Sequence, residues 1–193
     1  MLAAVVLAAG TSSRLGQPKQ LLPLDGRPVL QHVLDIAAAA GAGEIVVVLG
    51  HAARDVRRAL TLPDGARVVV NPDYELGQST SLRAGLAALG PHVDAAAILL
   101  GDQPRLPPDV MRAVVDAHAR GDAAVVRPSY RGVPGHPVIA TRAAWPALTA
   151  VAGDAGARTA MDAARVDVRV LDVDMDAPAD VDTWDSYVRL RDG

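Results

Sequence analysis

The sequence predicts an α/β domain with a mostly parallel central sheet, and three observations carry that prediction. Short, continuous apolar runs alternate with longer stretches in which apolar residues recur every three or four positions. The runs consist of Val, Ile, Leu and Ala without polar alternation, as strands do when both faces are covered. Finally, 50% of the 193 residues are hydrophobic and none is Phe, a composition that suits small-residue helices packed closely on a sheet.

In chain order, Leu2–Leu7, Glu44–Leu49, Arg67–Val70, Ala95–Leu100 and Ala123–Arg127 read as strands. Between them Val29–Ala40, Ala52–Leu60, Ser79–Leu89 and Pro108–Arg120 carry helical spacing. Right-handed crossovers bring the carboxyl ends of such strands to one edge, where ligands of open α/β sheets bind. The last third is less regular. The Pro- and Gly-rich stretch "RPSYRGVPGHPVIA" reads as a loop into a strand at Val138–Ala140, followed by a helix at Thr159–Arg165, a strand at Val166–Val173 and a helix at Val181–Leu190. With no repeat and no linker, residues 1–193 are expected to form one domain.

Several function classes are disfavoured at once. A net charge of −3 and no Lys/Arg run longer than two residues argue against a nucleic-acid partner. Absence of Cys removes disulfides, thiolate metal sites and a Cys nucleophile, and fits a cytoplasmic location. No stretch approaches the roughly 20 apolar residues that cross a bilayer, and the first apolar run lacks a basic leader, so it reads as a strand and no membrane is expected as partner.

The first strand empties into "LAAGTSSRLGQPKQLLPLDG", which holds three glycines, three adjacent hydroxyls, Arg14 and Lys19, and no carboxylate before Asp25. Exposed amides at the turn with the Thr11, Ser12 and Ser13 hydroxyls can bond phosphate oxygens, and Arg14 and Lys19 add full charges. The spacing matches neither GxxxxGK[ST] nor GxGxxG. A solvated turn after an edge strand is the alternative.

Four later stretches carry chemistry. "ILLGDQPRL" ends a strand on Asp102, a carboxylate able to hold Mg²⁺ or, alternatively, to make a turn before Pro104. "LDVDMDAPAD" sets Asp172, Asp174 and Asp176 at alternate positions, on one face if extended, where they need a cation or solvent; a charged strand edge is the alternative. In "NPDYELGQSTS", Asn71, Gly77, Gln78, Ser79 and a helix start are placed to read a base or ribose, or simply to turn the chain. In "GVPGHPV", His136 sits in a bend made by glycines and prolines, which exposes a ring able to bond a phosphate.

Taken together, "LAAGTSSRLGQPKQLL", the GDxP of Gly101–Pro104, Asn71-Pro72 with Gly77 and Ser81, "GVPGHP" and Asp174-x-Asp176-x-Pro178-x-Asp180 resemble the MobA-like nucleotidyltransferases, over nearly the whole chain. The resemblance implies a three-layer, Rossmann-like nucleotidyltransferase fold. It also implies nucleotide contacts from Leu7, Ala8, Ala9, Gly10, Ser12, Ser13, Arg14, Lys19, Asn71, Gly77 and Ser81, with Arg14, Lys19 and Asp102 in the catalytic role. Mg²⁺ would be held by Asp102 and Asp174, with Asp176 next in line, and the acceptor met by Gly135, His136 and Pro137. Guanylyltransferases of the family typically read LAGG, whereas this chain has Leu7-Ala8-Ala9-Gly10; the added Cβ at position 9 narrows the base site and favours CTP. With "GVPGHPV", the resemblance leans to the cytidylyltransferases, with molybdopterin as acceptor and a client molybdoenzyme as partner. A sugar- or polyol-phosphate nucleotidyltransferase and a non-catalytic nucleotide-binding accessory protein of molybdoenzyme maturation are the alternatives. An oxidoreductase ranks last because GxGxxG is missing.

Overall fold

The computed structural model describes residues 1–150 and 166–193. The chain runs β1 (Leu2–Ala8), a hairpin of β2 (Pro23–Leu24) and β3 (Arg27–Pro28), α1 (Val29–Ala39), β4 (Ile45–Leu49), α2 (Ala53–Ala59), β5 (Ala66–Val70), α3 (Gln78–Ala88), β6 (Ala95–Leu100) and α4 (Pro108–Ala119). It continues through β7 (Val125–Tyr130), β8 (Val133–Pro134), β9 (Val138–Thr141), α5 (Trp145–Thr149), β10 (Val168–Val173) and α6 (Trp184–Asp192). The expected helix at Thr159–Arg165 lies outside the described residues.

The main sheet has the order β10-β7-β9-β6-β1-β4-β5, with β8 paired to β7. Neighbours pair in parallel except at β9, which runs against both β6 and β7, and at β8. The carboxyl ends of β1, β4, β5, β6, β7 and β10 therefore share one edge. The antiparallel β9 begins at that edge, which brings "GHP" there from the other end of a strand.

Period-2 alternation within the buried strands divides the core in two. Ala4, Val6 and Ala8 of β1, with Ile45, Val47 and Leu49 of β4, pack under α1, α2 and α4 through Leu30, Val33, Leu34, Val56 and Val114. Ala3, Val5 and Leu7, with Val46 and Val48, face α3 and α5 through Leu82, Leu86, Trp145 and Leu148. Helices on both faces make three layers, the Rossmann-like arrangement. The approach of α3 is close: a Cβ on Gly85 would stand 2.4 Å from Val5 Cγ1.

A smaller cluster of Leu15, Leu22, Leu24, Val29, Val181 and Tyr187 ties the first loop to the C-terminal segment. The hairpin beneath it turns on Asp25 and Gly26, both left-handed at φ 48° and 78°, the conformation a two-residue Asp-Gly turn requires. The C-terminal helix starts at Trp184, three residues later than expected. Thr183 accepts from the Ser186 amide, and the Ser186 side chain answers in a capping box, so Val181 and Asp182 stay outside the helix.

Candidate active site

A cleft of about 330 Å³ opens at the carboxyl edge, lined by Leu7–Thr11, Lys19, Gln20, Tyr74, Glu75, Gly77, Gln78, Ser81 and Leu100–Asp102. Its floor is where β1 and β6 end side by side. The Gly101 amide donates to the Leu7 carbonyl at 2.8 Å, and a Cβ on Gly101 would stand 2.8 Å from Ala8 Cβ. Only glycine lets the strand carrying Asp102 close on the loop that carries Lys19.

The loop is braced from beneath. Gln20, buried, donates through Nε2 to the carbonyls of Ala8 (2.8 Å) and Gly10 (3.3 Å), and Ser12 Oγ accepts from the Lys19 amide at 3.0 Å. Ser12 thus shapes the loop, while Ser13 is exposed and stands outside the cleft lining. Lys19 Nζ reaches Asp102 Oδ2 at 2.5 Å and Asp182 Oδ1 at 2.6 Å, and the exposed Arg14 meets Asp182 Oδ2 at 3.2 Å. Burial alone would pull the Lys19 ammonium down, but the Asp102 and Asp182 carboxylates outweigh it and its pKa stands above the ordinary value.

The carboxylates beside Asp102 come from an unexpected place. Asp180 accepts from Gln103 Nε2 at 2.8 Å; burial first, then the charge of Asp102, pushes its pKa up. The Val181 amide donates to the Asp102 carbonyl at 3.0 Å and pins this segment. Asp174 is not brought to the cleft. Its side chain is 96% exposed and meets Arg131 at 3.1 Å, and Asp176 meets the same guanidinium at 2.9 Å. The reason is topological. Strand β10 is separated from β6 by β7 and β9, three spacings or about 14 Å, and it ends at Val173, so the alternation argument stops before Asp174. After β10 the chain crosses the sheet edge and delivers Asp180 and Asp182 instead. The signal was present in "ADVDT": a carboxylate on either side of a core Val, directly before a cap.

Asn71 also has a different place from the one expected of it. It is 3% exposed, its Nδ2 donates to Thr80 Oγ1 (2.8 Å) and Ser81 Oγ (3.0 Å), and its Oδ1 accepts from the Asp73 amide (3.0 Å). Both amide hydrogens are spent on the protein, so Asn71 positions the start of α3 and does not face a ligand. Gly77 and Ser81 do line the cleft, and Tyr74 and Glu75, given no role in the sequence reading, line it with them. The Tyr74 ring lies over Gly50, where a Cβ would come within 2.6 Å of it.

His136 stands on the β9 side. Protein packed around its ring pulls the pKa down to about 4 against the opposing charge of Asp102, so the imidazole is neutral at pH 7. Gly135 packs on the Tyr130 ring, 2.6 Å from where its Cβ would stand, and Tyr130 Oη donates to the His136 carbonyl at 2.7 Å. The bend at Gly135–Pro137 is thus held by a buried phenol whose own pKa burial raises to about 12. No described helix is long and apolar enough to cross a membrane.

The chain resembles solved proteins over its full length. It aligns with Rv0371c from Mycobacterium tuberculosis H37Rv at 39% identity and a TM-score of 0.89, covering 100% of this chain and 98% of that one. A manganese complex of the same protein aligns at 38% and 0.85, with the same coverage. A nucleotidyl transferase from Methanothermobacter thermautotroptrophicus aligns at 28% and 0.82, covering 100% and 96%. Among curated relatives, the bifunctional protein GlmU of Roseobacter denitrificans is 33% identical over 126 residues, which is 64% of this chain but only 28% of that protein's length. The model of the MobA-like NTP transferase domain matches residues 4–168, well over half of the sequence, and the chain belongs to that nucleotidyltransferase family.

Proposed function

We propose that this protein is a divalent-metal-dependent nucleotidyltransferase that moves CMP from CTP onto a phosphorylated acceptor, molybdopterin, and releases pyrophosphate. The observation that carries the reading is the convergence of Lys19 on the phosphate-type loop with Asp102 at the end of the adjacent strand, 2.5 Å apart.

The acidic groups fit a divalent cation. Burial and then the charge of Asp102 disfavour the Asp180 carboxylate, and a dication beside it would relieve both. Among the described residues no group of three or more acidic or His side chains is arranged to hold a metal. A two-carboxylate set suits Mg²⁺, which takes one or two carboxylates and draws its remaining ligands from substrate phosphates and water. We assign that role to Asp102 with Asp180 and not to Asp174. When bound, Mg²⁺ would supply charge neutralisation on the phosphates; the Rv0371c manganese complex supports a divalent ion in this family.

This chain's own groups supply the rest. The loop amides from Ala8 to Thr11 meet phosphate oxygens, and Arg14 and Lys19 neutralise the triphosphate. Ala9 and the Tyr74–Ser81 segment enclose the base. Neutral His136, on the opposite side of Asp102, orients the acceptor by a hydrogen bond without adding a charge. An acceptor phosphate oxygen attacks the α-phosphorus; the new P–O bond forms as the bond to the β-phosphate oxygen breaks, and pyrophosphate carries away the electron pair. Positioning and charge neutralisation make up most of the catalysis.

The test is calorimetric titration of CTP, GTP, ATP and UTP in Mg²⁺, followed by pyrophosphate release with molybdopterin. CTP bound tightest and turned over only with acceptor is the expected result. A GTP preference overturns the base assignment, and turnover with a sugar phosphate in place of molybdopterin overturns the acceptor. No binding of any of the four overturns the reading.

A further inference from the structure

The two cations of the first loop already hold an anion. Asp182 presents one oxygen to Lys19 Nζ at 2.6 Å and the other to Arg14 Nη2 at 3.2 Å, so a single carboxylate bridges both groups as a phosphate would. Its backbone is fixed on either side. Val181 is fully buried and its amide donates to the Asp102 carbonyl, the Asp182 amide donates to Ser186 Oγ at 3.1 Å, and Thr183 caps α6. The side chain, in contrast, is 37% exposed and can turn outward with no movement of that frame.

A triphosphate brings roughly four negative charges to the same cations, and like charges at contact distance repel by several kcal/mol at the effective dielectric of a protein surface. The carboxylate and a phosphate cannot both occupy the place between Arg14 and Lys19. An aspartate is ordinarily ionised at neutral pH, and here each carboxylate oxygen of Asp182 meets a cation.

We infer that Asp182 is a resident counter-anion of the phosphate subsite: its carboxylate keeps Arg14 and Lys19 in place in the ligand-free protein and is displaced when a nucleotide enters. The inference rests on the nucleotidyltransferase reading above. It gives the C-terminal segment a function in the site, that of setting nucleotide affinity. The cations stay ordered without a ligand, at the cost of an exchange each time one binds.

The experiment compares binding of inorganic tripolyphosphate in EDTA, which probes the phosphate subsite without base or metal, with CTP binding in Mg²⁺. The proteins are the wild type, Asp182→Asn, Asp182→Glu and Asp185→Asn. Asp185 is exposed in the first turn of α6, so its variant carries the same charge change away from the cleft. Tripolyphosphate is expected to bind Asp182→Asn about tenfold more tightly than wild type, while Asp182→Glu and Asp185→Asn stay within about twofold. Equal or weaker binding by Asp182→Asn, with the wild type binding normally, overturns the inference alone and makes Asp182 an organiser of the cations. Equal tightening by Asp185→Asn also overturns it, since net charge would then explain the gain. Should Asp182→Asn melt near the assay temperature, Asp182→Ser carries the same comparison. If no protein of the set binds either CTP or tripolyphosphate, the reading of the site falls and the inference with it.

Discussion

Two pairs of aspartates lie within one short stretch of this chain, Asp174 to Asp182, and they behave in opposite ways. Asp180 and Asp182 sit with Asp102 around Lys19, whose side chain is only 14% exposed; burial and the charges of Asp102 and Asp182 push the Asp180 carboxyl up, while Lys19 and Arg14 hold Asp182 down against its burial. Asp174 and Asp176 stand in solvent, 96% and 89% exposed, around Arg131. Residue type and charge count are nearly the same. What differs is the strand order, which puts β10 at the far edge of the sheet and routes the chain back across to β6 afterwards. Charge acquires chemical use where burial lowers the local dielectric and a second element supplies a like charge, and the outer cluster has neither.

The sharpest way to break the comparison is to neutralise one carboxylate from each cluster. Asp102→Asn is expected to lower kcat/KM for nucleotidyl transfer about 10³-fold, the scale of losing one preorganised electrostatic contact to the reacting phosphates. Asp174→Asn is expected to leave it within about twofold. Steady-state pyrophosphate release decides, and a large loss in Asp174→Asn would return that residue to the site.

The cations give the second comparison. Lys19→Met leaves Asp102, Asp180 and Asp182 without their shared partner in a partly buried place, and is expected to destabilise the fold by about 2–3 kcal/mol. Arg131→Met strands only solvated carboxylates and should cost less than about 0.5 kcal/mol. Urea unfolding at pH 7 measures both. Equal effects would mean that the Lys19 cluster is solvated as well as the Arg131 cluster.

His136 sharpens the comparison through pH. Its pKa near 4 in the folded protein lies below the 6.5 of an unperturbed ring, so the unfolded chain takes up the proton first as pH falls. Its contribution to stability is whole above pH 6.5 and is lost progressively down to about pH 4. The loss is about 2 kcal/mol, reduced from the full ~1.4 kcal/mol per unit because part of the residue meets solvent. His136→Asn should show a flatter stability profile between pH 7 and 4; an unchanged profile would mean that the ring is already solvated.

The layered fold was legible because its strands are buried on both faces and read as unbroken apolar runs: Ile45–Leu49 and Ala95–Leu100 stand almost where periodicity puts them. The loop cations and Asp102 were legible for a related reason. Asp102 comes just after β6 ends, and Arg14 and Lys19 lie on the loop that leaves β1, which Gln20 ties back to the Ala8 and Gly10 carbonyls, so topology has little room to move them. Asp174 and Asn71 were not, because each depends on something sequence spacing does not carry. For Asp174 it is the sheet position of the preceding strand. For Asn71 it is the fact that the hydroxyls of Thr80 and Ser81 already take both amide hydrogens. Asp182 was hidden by the α6 boundary: a helix drawn from Val181 turns it into a surface residue, whereas the Thr183 cap leaves it outside the helix and in contact with Lys19.

The smallest expected effect tests the outer cluster itself. Asp174→Asn combined with Asp176→Asn removes both partners of Arg131, whose side chain is 56% exposed. Exposed pairs contribute about 0–1 kcal/mol because water solvates the separated charges nearly as well. The double variant should therefore change urea stability by less than about 0.5 kcal/mol and transfer by less than about twofold. Raising salt from 50 to 500 mM should erase even that difference, since the Debye length then falls well below its value of ~10 Å at 0.1 M. A loss of transfer without loss of stability would have a specific meaning: Arg131, at φ 46° between β7 and β8, would then be held by these carboxylates for a substrate that approaches from the β10 side of the edge.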